Sequence, residues 1–247
     1  MKKIILISIC FYCLTITYGQ QYNEKYGQPI VVLYETDPWL MVIGSDVPTF
    51  ALYENGQIIY RKIVDKRYKY FEIKNDREKT QTIIKSFGIT DSLMKQPDYI
   101  QATDWTDQPT NILILNFDTL RQISVYGDLN KKNEAREKAP KDFVTVYDNI
   151  LKFEDKSALD WLPDTIEILA TSYSHSPEKP LKWPSEWNDI KSSTTVKRSD
   201  DLYSLYIDKK HFSELVILLK NLKEKQAVEI NGEKYSLSYR LPFPNLR

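Results

Sequence analysis

Both cysteines of this 247-residue chain, Cys10 and Cys13, sit near its start, inside a segment that reads as removable. Met1-Lys2-Lys3 is a short basic opening, and Ile4 to Ile16 carries no charge and is rich in Ile, Leu, Phe and Cys. The run is shorter than the roughly 20 apolar residues that span a bilayer core. It fits the ~7–15-residue apolar region of a secretory signal peptide. Thr17-Tyr18-Gly19 puts small residues at the −3 and −1 positions, so 1–19 is expected to be a signal peptide cut before Gln20. A membrane anchor fits less well, because polar residues begin at Gln20 and no stop-transfer pattern follows. A lipoprotein also fits less well: Ile9 and Tyr12 precede the cysteines where a lipobox wants a small residue. The Cys-x-x-Cys spacing of Cys10 and Cys13 is then a decoy, since both thiols leave with the signal.

What remains is an exported chain, periplasmic or extracellular, without a single cysteine. Disulfides, a thiol nucleophile, Fe–S clusters and thiolate-bound zinc are all excluded. Such a chain must be held by its core, and the length from Gln20 onward suffices for one large domain or two small ones. Removing Lys2 and Lys3 takes Lys+Arg from 34 to 32 against 34 Asp+Glu, which leaves a net charge of about −2. A nucleic-acid binder would show a basic excess, so none is expected. With 7 glycines in all and no G-x-G-x-x-G or P-loop pattern, no phosphate-cradling loop can be assembled. The 17 tyrosines and 13% aromatic content suit a β-rich domain with amphipathic surfaces.

Along the chain, 20–29 is polar and is expected to be a loose leader. Ile30 to Tyr34 and Trp39 to Ile43 are strand candidates. Thr49 to Tyr53 and Gln57 to Arg61 flank Glu54-Asn55-Gly56, a strong hairpin signal that implies a type I′ turn at Asn-Gly. Tyr68 to Ile73 is a strand. Arg77 to Phe87 is a helix, capped by Asn75 or Asp76 and stopped by Gly88. Asp91 to Lys95 adds a turn. Asn111 to Phe117 and Leu120 to Tyr126 alternate as a second hairpin. Lys131 to Lys138 reads as a solvated charged loop, and Pro140 opens a helix marked by Phe143, Tyr147, Ile150 and Leu151. Beyond a junction at Trp161-Leu162-Pro163, Thr165 to Ala170 is a strand, and 174–193 is a long Pro- and Trp-bearing loop. Tyr203 to Ile207 is a strand, and Asp208 caps a helix through Leu222. Ala227 to Ile230 and Lys234 to Arg240 form a hairpin about Asn231-Gly232, and Leu241 to Pro244 ends extended.

The expected fold class is therefore α+β, with antiparallel sheets and helices packed on one face. Strand, helix and hairpin occur in that order twice. A first unit over 30–160 and a second over 161–247 are accordingly expected to be related and packed as one body.

The hairpin Pro48-Thr49-Phe50-Ala51-Leu52-Tyr53-Glu54-Asn55-Gly56-Gln57-Ile58-Ile59-Tyr60 resembles the opening of poorly characterised bacterial exported and lipoprotein domains of unknown function. Thr106-Asp107-Gln108-Pro109-Thr110, with the alternating hairpin that runs to Tyr126, is similar to their second landmark. The resemblance implies a fold and no activity.

Catalytic equipment is sparse. His175 and His211 are the only histidines, without the i, i+4 spacing of a metal helix. Ser174-His175-Ser176 lacks a G-x-S-x-G setting. Asp200-Asp201 lacks a calcium-loop pattern. Asp104-Trp105-Thr106-Asp107 places two acids beside a ring that can stack on sugar, the one arrangement that points to a carboxylate-based hydrolase of envelope glycans. The competing reading of the same acids is turn capping. Trp183-Pro184-Ser185-Glu186-Trp187 is a proline-stiffened aromatic loop. Trp105, Asp107, Trp183 and Trp187 thus form the candidate interaction surface. No metal and no cofactor is expected. The function that fits best is a non-enzymatic binding module for a protein or glycan of the cell envelope. An inhibitor or immunity-type protein that blocks a partner enzyme is the second class.

Overall fold

The computed structural model describes residues 22–40, 46–130 and 132–246. The expected signal peptide with Cys10 and Cys13 lies outside them, as do Met41 to Ile43 of the strand expected at 39–43. Among the described residues the chain is α+β: two sheets with helices packed against them.

The larger sheet comprises β1 (Pro29–Glu35), β2 (Phe50–Tyr53), β3 (Gln57–Val64), β4 (Arg67–Lys74), β5 (Tyr99–Gln101), β6 (Thr110–Asn116), β7 (Leu120–Tyr126) and β8 (Leu159–Asp160). Its order is β5-β7-β6-β1-β2-β3-β4-β8. Only the β5–β7 pair is parallel. The smaller sheet comprises β9 (Thr165–Ser172), β10 (Leu181–Lys182), β11 (Val196–Ser199), β12 (Leu202–Asp208), β13 (Val228–Ile230) and β14 (Glu233–Arg240). Its order is β10-β13-β14-β9-β12-β11.

The helices are α1 (Arg77–Phe87), α2 (Asp91–Met94), α3 (Glu134–Lys138), α4 (Lys141–Lys152) and α5 (Phe212–Asn221). α1 forms where its end signals predict. Asp76 Oδ1 accepts from Lys79 N at 2.8 Å, and Gly88 closes the helix in the left-handed region at φ 75°. α4 buries Phe143, Val146, Tyr147 and Ile150, one stripe at helical spacing. These meet Val31, Leu33, Phe50, Leu52, Leu113 and Leu115 of the larger sheet in a first core. Burying each such side chain contributes about 1.5–3 kcal/mol relative to leaving it in water.

Alternation sends the intervening residues to the other side. Val32, Ala51, Tyr53 and Ile59 join Ile166, Ile168, Leu205, Ile207 and Leu215 in a second core shared with the smaller sheet and α5. The central strands of the larger sheet are therefore covered on both faces, which is why Ile30 to Tyr34 reads as an unbroken apolar run. Trp161 seals the junction: its ring lies 5.0 Å from Phe243 and its Nε1 donates to the Tyr26 hydroxyl at 3.3 Å.

Several expectations are corrected. The hairpin at 50–64 forms, but not on a type I′ turn. Gly56 N donates to Tyr53 O at 2.9 Å, so Glu54 and Asn55 are the central residues, and positive φ falls on Gly56 (83°). This is the three-residue loop in which a left-handed residue follows a turn. Asn231-Gly232 does adopt two consecutive positive φ values, 52° and 91°, between paired Ile230 and Glu233. β3 and β4 run past Arg61 to a tip at Asp65-Lys66, where φ is 51° and 62° without a glycine. The charged stretch at 131–138 is not all loop: Asn133 Oδ1 accepts from Arg136 N at 3.0 Å and starts α3. β11 was not anticipated.

The proposed relation between two units fails on strand order. In the larger sheet β4 is separated from the hairpin β6–β7 by three strands, β3, β2 and β1. In the smaller sheet β12 is separated from β13–β14 by β9 alone. Similar element types arise from similar local patterns and do not require a common ancestor unit.

The leader is not loose where it is described. Tyr26 is buried, its ring 5.3 Å from that of Tyr53. Asn245, near the other end of the chain, accepts from Asn23 N at 2.7 Å and donates to Asn23 O at 2.9 Å and Gly27 O at 2.7 Å. A buried aromatic and three long-range hydrogen bonds outweigh the polar composition of the segment.

Candidate functional site

The segment Thr103 to Pro109 joins β5 to β6 with a firmly held backbone. Thr103 is buried, and its Oγ1 accepts from Trp105 N at 3.2 Å. The Tyr126 hydroxyl donates to Trp105 O at 2.9 Å and accepts from Gln108 N at 3.2 Å. Asp107 occupies the left-handed region at φ 57°, a conformation Asp tolerates. The Trp105 side chain nevertheless stands 73% exposed.

A second exposed indole lies in the loop that leaves β1. β1 pairs with β6 up to Glu35 opposite Asn111, so the chain leaving β1 and the chain entering β6 emerge at the same end of the larger sheet. Thr36 N donates to Thr110 O at 3.0 Å and Thr110 N to Thr36 Oγ1 at 2.9 Å, which ties the two loops together. Asp37 then turns the chain: its Oδ1 accepts from Trp39 N at 2.9 Å, and its own N donates to Asp46 Oδ1 at 2.9 Å. Trp39 is 74% exposed. It lies in a turn, not in the strand expected at 39–43. Asp37-Pro38 is the local signal that could have revealed this, because Asp bonds to the backbone two residues on and Pro fixes φ.

The strand end beneath this pair is braced. Glu35 Oε1 accepts from the Tyr147 hydroxyl at 2.7 Å and from Asn130 Nδ2 at 3.2 Å, and Oε2 accepts from Thr49 Oγ1 at 2.7 Å. Burial, with the Glu35 carboxylate beside it, pushes the Tyr147 hydroxyl well above the ordinary tyrosine range, so it stays protonated and keeps donating.

The other half of the expected surface is overturned. Trp183 and Trp187 are 9% and 4% exposed, with rings 5.0 Å apart and perpendicular. Trp183 Nε1 donates to Asn188 O at 3.1 Å, and Trp187 packs on His211 at 5.4 Å. The 174–193 loop folds back because β10 pairs in parallel with β13 and Trp183 N donates to Glu229 O at 3.1 Å. These tryptophans fill core and offer no contact surface.

Asp104 and Asp107 are both exposed. Both carboxylates are open to water, and Asp104 Oδ1 accepts from Gln101 Nε2 at 3.1 Å. His175 packs edge-on against Tyr173, and His211 sits 3.1 Å from Glu214. Among the described residues no group of three or more His, Asp or Glu side chains could hold a metal.

Sequence reasoning missed one charged cluster. Glu167 in β9 is 1% exposed; its Oε1 accepts from Ser204 Oγ at 2.7 Å and Arg198 Nη2 at 3.0 Å, its Oε2 from Arg240 Nε at 2.5 Å. Burial raises this carboxyl, but the bonds to Arg240 and Ser204 and the two guanidinium charges outweigh it and hold it below the usual glutamate value. A carboxylate satisfied in this way is a structural tie and a poor proton donor.

No helix among the described residues is long and apolar enough to cross a membrane. No protein-family model, no curated protein and no solved structure matches the chain.

Proposed function

We propose that the protein is an exported, non-enzymatic binding module that engages a protein or glycan of the cell envelope through the paired loops bearing Trp39 and Trp105. The observation that carries this reading is the exposure of two indoles, 74% and 73%, on backbones fixed by neighbouring hydrogen bonds. A large apolar ring left in water gains most when a partner covers it. A ring on a fixed backbone also loses little conformational freedom on contact. Asp37, Asp104 and Asp107, close to the two indoles in sequence, supply hydrogen-bond acceptors of the kind found at the polar rim of such a surface. The basic and apolar start of the chain, Met1 to Gly19, supports export.

The test is co-sedimentation of the purified mature chain with the envelope fraction of its own cells, comparing wild type with the double variant Trp39→Ser/Trp105→Ser. Binding should weaken about tenfold or more, the scale of losing aromatic anchors. Undiminished binding by the double variant would sink the reading. Intact mass of the exported form should start at Gln20; a chain retaining Met1 to Gly19 argues against export. Loss of an enzyme's activity on capture would favour the inhibitor class.

A further inference from the structure

At the opposite end of the larger sheet from Trp39 and Trp105, β3 begins, β4 ends and α1 starts. Asn75 N donates to Gly56 O at 3.0 Å and draws these three elements together. They border an open hollow of about 410 Å³, a volume within the roughly 300–1,000 Å³ range of small-molecule sites. Its wall carries a fixed polar pair. Gln57 is 6% exposed, and its Nε2 donates to Glu72 Oε2 at 2.8 Å. That bond orients the Gln57 carboxamide against the Glu72 carboxylate, and Asn75 Oδ1 in the same wall is a buried acceptor without a protein partner. Also in the lining, Lys79 bonds Asp155 at 2.8 Å, and Lys25 lies over the Tyr26 ring at 5.0 Å. Exposed Leu159 adds an apolar strip.

We propose that this hollow binds a saccharide unit. The assignment follows from matching the groups. The acceptors of that wall ask for donors on the ligand, and the lysines ask for acceptors. A sugar hydroxyl is both at once. The lining acids Glu72 and Asp76 oppose three lysines, one of which Asp155 already neutralises, so a ligand of high charge gains little there. A carboxamide and carboxylate held side by side suit adjacent hydroxyls, and Leu159 can cover the C–H face of a ring. This site is independent of the tryptophan surface and does not rest on that reading.

The test is an NMR titration of the full mature chain with neutral hexoses, N-acetylhexosamine, glycine and inorganic phosphate, reading the Gln57 side-chain amide and the backbone amides of Lys79 and Ser157. At least one sugar should give saturable shifts there at millimolar concentration, the range expected for one small polar ligand. Gln57→Met, which keeps volume and removes the acceptor, and Glu72→Ala should each weaken this by about tenfold, as loss of a hydrogen bond to a charged or fixed group predicts. The half-exposed Glu72 variant keeps the test valid should the Gln57 variant fold poorly. Absence of saturable shifts with every sugar, binding by glycine or phosphate alone, or sugar affinity unchanged in Glu72→Ala overturns the assignment. Sugar shifts confined to Trp39 and Trp105 also overturn it, while supporting a glycan partner for the other surface.

Discussion

The Asn245 carboxamide grips the backbone of Asn23, accepting from its N–H at 2.7 Å and donating to its carbonyl at 2.9 Å across 222 positions of sequence. It also donates to Gly27 O, so one side chain fastens the first described residues to the last. Asn245→Ala should cost about 1–3 kcal/mol by chemical denaturation, since half-buried backbone groups lose their partners. Asn245 sits at φ 57°, where alanine is strained. Asn245→Gly therefore isolates the hydrogen bonds, and it should destabilise less than alanine while releasing the N-terminal segment to proteolysis.

Two glycines with positive φ should respond differently to alanine. A Cβ on Gly56 would lie 2.4 Å from the Asn75 carbonyl oxygen and 2.8 Å from Thr80 Oγ1. A Cβ on Gly232 would meet nothing within 4 Å. Gly232→Ala pays only the left-handed backbone penalty, about 1–2 kcal/mol. Gly56→Ala adds a clash with backbone that cannot yield cheaply, and its thermal midpoint should fall well below that of Gly232→Ala. Equal loss in the two variants would contradict the packing at Gly56.

The tryptophans divide by burial. Trp183→Ala should cost about 3–5 kcal/mol, the range for emptying a packed aromatic site. Trp105→Ala should change stability by less than about 0.5 kcal/mol, as exposed substitutions do. Trp187 Nε1 is buried without a partner, whereas Trp183 Nε1 donates to Asn188 O. Trp187→Phe should therefore be milder than Trp183→Phe in urea denaturation, because it removes an unsatisfied donor along with the lost contacts.

Stability should depend on acid through Glu167. Its folded carboxyl titrates below the ordinary glutamate value because, although burial raises it, Arg240, Ser204 and Arg198 more than offset that. A depressed folded value stabilises fully above the unfolded pKa of about 4.3 and is lost as pH falls through the folded one. Unfolding free energy should thus drop on acidification below about pH 4. Glu167→Gln should be less stable at neutral pH by about 3–5 kcal/mol, since two guanidinium groups lose a buried counter-charge. It should also show a flatter profile in that acid range.

Local patterns were legible where the determining residues are neighbours. α1 is set by Asp76, Gly88 and the apolar Ile83 and Phe87; the hairpin β6–β7 is set by its alternation; α4 is set by Phe143, Tyr147 and Ile150. α3 escaped notice because its cap, Asn133, lies inside a run whose charge suggests solvent. The same dipeptide, Asn-Gly, gave two different turns, because Gly56 must let the Asn75 carbonyl approach while Gly232 faces open space. Turn type there depends on what packs against the turn, not on the dipeptide.

The same division holds for the candidate surface. Trp105 stood out from its acidic neighbours in sequence, and the fold leaves it in water. Trp39 was hidden by the apolar residues that follow it, and only the pairing of β1 with β6 brings its loop beside that of Trp105. Trp183 and Trp187 looked equally available, yet the parallel pairing of β10 with β13 turns them inward. By itself the sequence determined the absence of any cysteine beyond Cys13, the α+β class and the positions of most strands and helices, because period, caps and composition act over a few residues. Tertiary structure decided which aromatics are covered, that Asn245 ties down the leader, and that Gln57 and Glu72 share one wall. Burial and convergence depend on residues far apart in the chain, and no local pattern carries that information.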